Sequence, residues 1–142
     1  RRGRHLSTMR LDIVTPERKV FSEDVEMVIT RAAEGDIGIL PRHAPFVSPL
    51  GITSVRIKMN GEEKRAAVSG GFMEVRPDMV TILAEAAEMS DEIDVERALA
   101  AKKRAEERLA QLQREDIEFK RVELALRRAL NRLRVAEYDG DL

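Results

Sequence analysis

DEIDVERALAAKKRAEERLAQLQREDIEFKRVELALRRALNRLRVAEYD, residues 91–139, contains neither glycine nor proline. That gap decides the fold, because both residue types crowd the earlier part of the chain. All five prolines lie between Pro16 and Pro77, and seven of the eight glycines precede Pro77, with only Gly140 beyond it. Turn chemistry is therefore confined to the first part, which predicts many short strands there and uninterrupted helix afterwards.

Within the uninterrupted stretch the apolar residues keep a helical period. Ala98, Ala101, Ala105, Leu109 and Leu112 share one face. Phe119, Val122, Leu126, Ala129, Leu133 and Ala136 follow with spacings of 3, 4, 3, 4 and 3. Asp91 followed by Asp94 resembles a capping box with Asp in place of Glu, and places the start of the first helix there. Between the stripes, Gln113-Arg114-Glu115-Asp116 is polar but holds no breaker, and Asp116 is a candidate N-cap for the second helix. The same residues can form an antiparallel hairpin or one rod of ~65–70 Å over ~45 residues at ~1.5 Å per residue. Three of the five residues in the first stripe are alanine, so burial at roughly 0.8 kcal/mol per CH₂ supplies little. The expectation is a hairpin held by a modest margin, as a switch requires.

Upstream, the pattern has period two. Leu11-Asp12-Ile13 and Val25-Glu26-Met27 alternate, and Ile52, Val55 and Ile57 mark another strand. Asn60-Gly61 is a hairpin signal before residues 63–69. Gly70-Gly71 is taken as a second tight turn before Phe72-Met73-Glu74-Val75, and Arg76-Pro77-Asp78 turns the chain into Met79 to Leu83. Strands about ten residues apart predict an all-β sandwich or barrel. With one Tyr, four Phe and no Trp, its core is expected to be aliphatic. The domain expectation is a tag or disordered extension over 1–8 with Met9 as native start, a β-sandwich over 9–89, a two-helix domain over 90–138, and a tail over 139–142.

Composition limits the function classes. The chain has 142 residues, a hydrophobic fraction of 43%, a charged fraction of 36% and a formal net charge of -1. It is not basic throughout, as many nucleic-acid binders are. Without cysteine it has no disulfide and no thiolate metal site. No apolar run approaches the ~20 residues of a membrane span, which predicts no direct membrane insertion. Phosphate-loop, dinucleotide and zinc-protease motifs are missing. His5 falls in the presumed extension, and His43 is expected to pack locally in its loop. Glu62-Glu63 is expected to face solvent in its hairpin turn. No catalytic site and no metal site emerge.

The charge sits on the helices. From Arg97 to Arg134 there are 12 basic and 6 acidic residues, and from Lys120 to Arg134 six basic residues against Glu123 alone. At ~100° per residue, Arg121, Arg128 and Arg132 fall on one flank of the second stripe and Lys120, Arg127 and Arg134 on the other. A solvated amphipathic face explains such rails, as does docking onto an acidic protein surface. Nucleic acid or anionic membrane is a further option, but no aromatic stacking residues accompany the charge. Asp94, Arg97, Ala101 and Arg104 share a sector of ~80° on the first helix. Across a hairpin, Arg97 and Arg104 can face Arg128 and Arg132, where a polyphosphate would relieve their repulsion. Glu88 or Asp94 offers acceptors to a ribose or base amine. The plainer roles are a helix N-terminal charge for Asp94 and a surface partner of Asp94 or Glu96 for Arg97.

Two longer motifs carry a resemblance. Gly35-Asp-Ile-Gly-Ile-Leu-Pro-Arg-His-Ala-Pro-Phe-Val-Ser-Pro-Leu50 and Ser69-Gly-Gly-Phe-Met-Glu-Val75 resemble the two signatures of ATP synthase epsilon subunits. Val14-Thr15-Pro16 and Thr81-Ile-Leu-Ala84 fit as well, so the resemblance runs from Met9 to about Tyr138. It implies a non-catalytic subunit of the proton-translocating enzyme, peripheral on the cytoplasmic face of the bacterial plasma membrane. The sandwich would bind the gamma subunit and the rotor c-ring. The helices, when extended, would meet an acidic segment of the beta subunit through Lys120, Arg121, Arg127, Arg128, Arg132 and Arg134 and block ATP hydrolysis. Ile93-Asp94-Val95-Glu96-Arg97-Ala98 is similar to the ATP-binding motif of bacterial members. It implies that ATP, as a regulatory ligand and not a required cofactor, favours the compact hairpin through Glu88, Asp94, Arg97, Ala98, Arg104, Arg128 and Arg132. The competing expectation is a structural adaptor that binds an acidic partner without sensing nucleotide.

Overall fold

The computed structural model describes residues 7–32 and 35–137. The expected extension over residues 1–8 lies largely outside them, and Tyr138 and the tail over 139–142 lie wholly outside. The chain divides between Met89 and Ser90 into two compact units.

The first unit is one seven-stranded sheet: β1 (Met9–Val14), β2 (Lys19–Val25), β3 (Met27–Ala32), β4 (Gly35–Ile39), β5 (Phe46–Met59), β6 (Glu62–Arg76) and β7 (Met79–Met89). In space the order is β2-β1-β7-β6-β5-β3-β4. Every pairing is antiparallel except β1 with β7, which sets Leu11 beside Val80 and Ile13 beside Ile82. Inward residues alternate with outward ones: Leu11 and Ile13 are fully buried, while Arg10 is exposed and Asp12 half-buried.

Folding one sheet into two layers requires a corner, and the corner replaces a predicted turn. Gly70-Gly71 does not end a strand; β6 runs through it, pairing with β5 and β7 on both sides. There the inward parity changes. Ala66 and Val68 are buried before the glycines, Met73 and Val75 after them. On β7, Ile82 and Ala84 are buried, and then Ala87. On β5, Leu50 packs on the core before Gly51, and Val55 and Ile57 enter it afterwards. Three neighbouring strands thus switch faces at one level, wrapping the sheet round its own interior. Positive φ angles of 74° at Gly70 and 121° at Gly71 allow this bend.

Two further expectations are corrected. Val25-Glu26-Met27 is not one strand but the junction where β2 leaves Met9 and β3 joins Lys58. The Asn60-Gly61 hairpin forms as expected, with positive φ of 52° and 75°. Glu63, however, does not face solvent alone: Arg56 Nε and Nη2 each donate to it at 3.0 Å, and Arg65 Nε donates at 3.1 Å. The core is aliphatic apart from Phe21.

In the second unit, a short 3₁₀ turn over Ser90–Glu92 precedes α1 (Val95–Leu109) and α2 (Ile117–Val135). Asp91 is therefore in the preceding turn and Asp94 is the cap: its carboxylate accepts from the Arg97 backbone N–H at 3.1 Å. Asp116 stands at the N-cap of α2 but makes no side-chain bond to that helix. Its Oδ2 instead accepts from the Gln113 N–H at 2.8 Å, while its own N–H donates to the Gln113 carbonyl at 2.9 Å. A residue pair closed on itself thus supplies the break that glycine or proline would otherwise give. The link then returns α2 alongside α1 as an antiparallel hairpin, with Ala98, Ala105, Ala129 and Leu133 buried.

Candidate functional site

Of the seven residues implied for nucleotide, six lie on the hairpin unit and Glu88 lies on β7 of the sandwich unit, opposite Ala67. Antiparallel pairing brings the first turn of α1, with Arg97, to the level of the last turns of α2, with Arg128 and Arg132. Arg104 lies two turns nearer the link. Arg97, Arg104 and Arg128 are exposed, and Arg132 is half-buried with a partner of its own. Asp94 spends one carboxylate oxygen on the cap, leaving the other exposed. Ala98 is fully buried, so it acts through packing: its side chain offers a ligand nothing, and its N–H donates to the Asp94 carbonyl at 3.0 Å.

The basic rails are less uniform than the charge count predicts. Lys120 reaches Glu123 at 3.4 Å, and Arg121 reaches Glu118 at 2.6 Å. Glu118 also holds Arg108 of α1 at 2.6 Å. Hydrogen bonding from Arg108 first, and Arg121 second, keeps the Glu118 carboxyl below its ordinary pKa. Among the described residues, Arg97, Arg104, Arg127, Arg128 and Arg134 have no carboxylate partner. Arg114 in the link and Lys103 on α1 likewise lack one, so unneutralised cations run along both helices and into the link. Sequence counting missed the Arg108–Glu118 pair, because it depends on which acids the hairpin turn brings within reach.

Glu63 is held down to about 2, chiefly by its hydrogen bond from Arg56, so it is ionised at neutral pH. Arg56 also approaches Asp36 at 3.9 Å. His43 packs edge-on to Phe46 at 5.5 Å between ring centroids, with Nδ1 3.1 Å from the Ala44 carbonyl. Among the described residues, no three His, Cys, Asp or Glu side chains are placed to hold a metal ion. No described helix is long and apolar enough to cross a membrane.

Both units match known families. Residues 8–90 match the ATP synthase Delta/Epsilon chain beta-sandwich domain, and residues 91–137 match its long alpha-helix domain. The chain is 57% identical over 131 residues to the ATP synthase epsilon chain of Halalkalibacterium halodurans, covering 92% of this chain and 98% of the relative. It is 58% identical over 131 residues to that of Bacillus velezensis, with the same coverage. Identity to that of Desulforamulus reducens is 50% over 130 residues, again covering 92% and 98%. Among solved structures, a chain of the Euglena gracilis mitochondrial ATP synthase superposes with a TM-score of 0.76 at 24% identity. That match covers 92% of this chain and 82% of the other, and shows likeness of fold.

Proposed function

The chain belongs to the ATP synthase Delta/Epsilon family, as an epsilon-type subunit of the central stalk, and from that premise we propose that its helical hairpin is an ATP-sensed brake on hydrolysis. The subunit is non-catalytic, and its work is mechanical and regulatory. The sandwich joins the gamma subunit to the rotor c-ring at the cytoplasmic membrane face, and the subunit is held there through those partners. The hairpin closes around ATP through Asp94, Arg97, Arg104, Arg128 and Arg132, with Ala98 packing beneath. Opened into a rod, α2 lays Lys120, Arg121, Arg127, Arg128, Arg132 and Arg134 against an acidic segment of the beta subunit and stops hydrolysis.

The observation that carries this reading is the set of exposed, acid-free guanidinium groups on both helices. Arg97 and Arg104 on α1 and Arg128 on α2 are like charges on one small unit, and they repel unless an anion joins them. A triphosphate supplies several oxygens to guanidinium forks. The weak alanine packing of α1 lets one ligand tip the balance, since binding only the closed state at 100 times Kd adds about 2.7 kcal/mol.

Thermal unfolding of the full chain with millimolar ATP tests the sensor. The midpoint should rise, Arg97→Gln with Arg128→Gln should cancel the rise, and ATP should remain intact. Asp94→Asn is the informative change at the cap. Asn caps as well as Asp, so a lost ATP response reports the charge and not the helix. If ATP moves nothing while Arg121→Gln, Arg128→Gln and Arg132→Gln together weaken assembly, the helices are a structural adaptor for an acidic partner.

A further inference from the structure

Glu118 occupies an unusual place on α2. It lies in the first turn, and its two carboxylate oxygens accept from Arg108 Nη2 and Arg121 Nη2, each at 2.6 Å. Arg108 is in the last turn of α1, so one carboxylate ties the end of one helix to the start of the next. Around it, Arg108 Nη1 also donates to Gln111 Oε1 at 3.3 Å, and Arg114 in the link sits over the Phe119 ring at 5.8 Å. Arg121 is otherwise a surface residue, with 75% of its side chain exposed.

The two arms respond differently to opening. In a continuous helix, residues ten apart are separated by about 15 Å along the axis, so Arg108 must leave Glu118. Arg121 lies three residues on and stays within reach in either state. Opening the hairpin thus removes one of two guanidinium groups from the carboxylate and leaves the other at its side, where Glu118 competes with any acidic receptor for Arg121. We propose that Glu118 is an autoinhibitory latch: the closed hairpin's own stand-in for an acidic receptor, which pins Arg108 to α2 and withholds Arg121 from docking. The inference rests on the reading of α2 as a docking helix, and names the residue that keeps it undocked.

The test uses the full chain with Glu118→Gln, Arg108→Gln and the double variant. Amide hydrogen exchange is followed over residues 111–121, alongside fluorescence-anisotropy binding of a synthetic Asp/Glu-rich peptide at low salt. Each single change should speed exchange about two- to fivefold, as expected for an exposed charge pair, and the double variant should add little further. Glu118→Gln also removes an acid from a helix N-terminus. A purely local effect of that kind would add to Arg108→Gln, and additive exchange rates overturn the latch. Peptide affinity should rise about threefold or more in Glu118→Gln and less in Arg108→Gln, where Glu118 still holds Arg121. Equal affinity in wild type and Glu118→Gln overturns the withholding role while docking stands. Peptide bound by neither chain refutes the docking reading itself, and the autoinhibitory role with it, although the exchange cycle still reports whether the two helices are tied.

Discussion

Gly71→Ala is expected to damage the sandwich far more than any other glycine-to-alanine change in it. At Gly71 φ is 121°, a region that side chains rarely adopt, and an added Cβ would run into the Leu83 backbone carbonyl, with Ala84 Cα at 2.9 Å. The obstacle is the backbone of β7, which cannot rotate away like a side chain. An unfavourable backbone conformation costs about 1–3 kcal/mol, and overpacking a filled site about 1–3 kcal/mol more. The sum, about 2–6 kcal/mol, is a large share of the ~5–15 kcal/mol that holds an ordinary domain together. Two controls separate the contributions. At Gly61 φ is 75° and nothing lies within 4 Å of an added Cβ, so only the backbone cost of about 1–2 kcal/mol applies. At Gly51 the space is open and φ is unstrained, so alanine should be nearly neutral. Urea titration followed through the methyl signals of Ile13, Ile57 and Ile82, all fully buried in this unit, reads the sandwich without interference from the helices. A Gly71→Ala unfolding free energy within about 1 kcal/mol of wild type, or one no worse than that of Gly61→Ala, would refute the corner argument.

Glu63→Gln should cost up to about 1 kcal/mol at neutral pH, the upper end for a solvent-accessible bidentate pair. Because the folded carboxyl is held down to about 2, below its ordinary value of 4.5, the stabilisation is full above that ordinary value. It fades as pH falls through about 2, so urea midpoints of wild type and variant should converge in acid. Leu133→Ala should cost about 2–4 kcal/mol in the thermal unfolding of the hairpin, since Leu133 is fully buried. Ile117→Ala, at a side chain 97% exposed, should change it by no more than about 0.5 kcal/mol in the same helical circular-dichroism melt.

Much of the sandwich was legible because burial enforces period two. Leu11 and Ile13, Val55 and Ile57, and Val80 and Ile82 all alternate with surface residues and all reach the core. What misled was glycine. Gly70-Gly71 carries the local signal of a turn, yet the turn is taken across three strands at once and no strand ends there. A local signal cannot distinguish a chain that reverses from a sheet that bends, because both need the same positive φ. The Val25-Glu26-Met27 alternation failed for a related reason, since period two continues across a junction where the chain merely changes neighbours. In the hairpin the two stripes were legible from spacing, with Ala98, Ala105, Ala129 and Leu133 buried as the period requires. The roles of the acids were not: Asp94 took the cap expected near Asp91, and Asp116 turned its carboxylate backward onto the link.

That backward turn bears on how the hairpin can open. Residues 110–116 are Ala, Gln, Leu, Gln, Arg, Glu and Asp, none of which obstructs a helix. A link built with glycine or proline would be broken in every state, whereas here the break is made by contacts that can be exchanged. Asp116 closes on Gln113, and Glu118 ties Arg108 to α2. In a continuous helix the Gln113 N–H would instead donate to the Leu109 carbonyl, and the Asp116 carboxylate would return to solvent. Opening would therefore exchange the bonds that close the link for helical ones, which also pair the N–H groups left over at the start of α2, and would give up mainly the apolar seam. On the α1 side that seam holds Ala98 and Ala105, which bury little area each. Under the proposed function this exchange is what would let a bound anion or an acidic surface choose between closed and open forms, the condition a two-state regulator must meet.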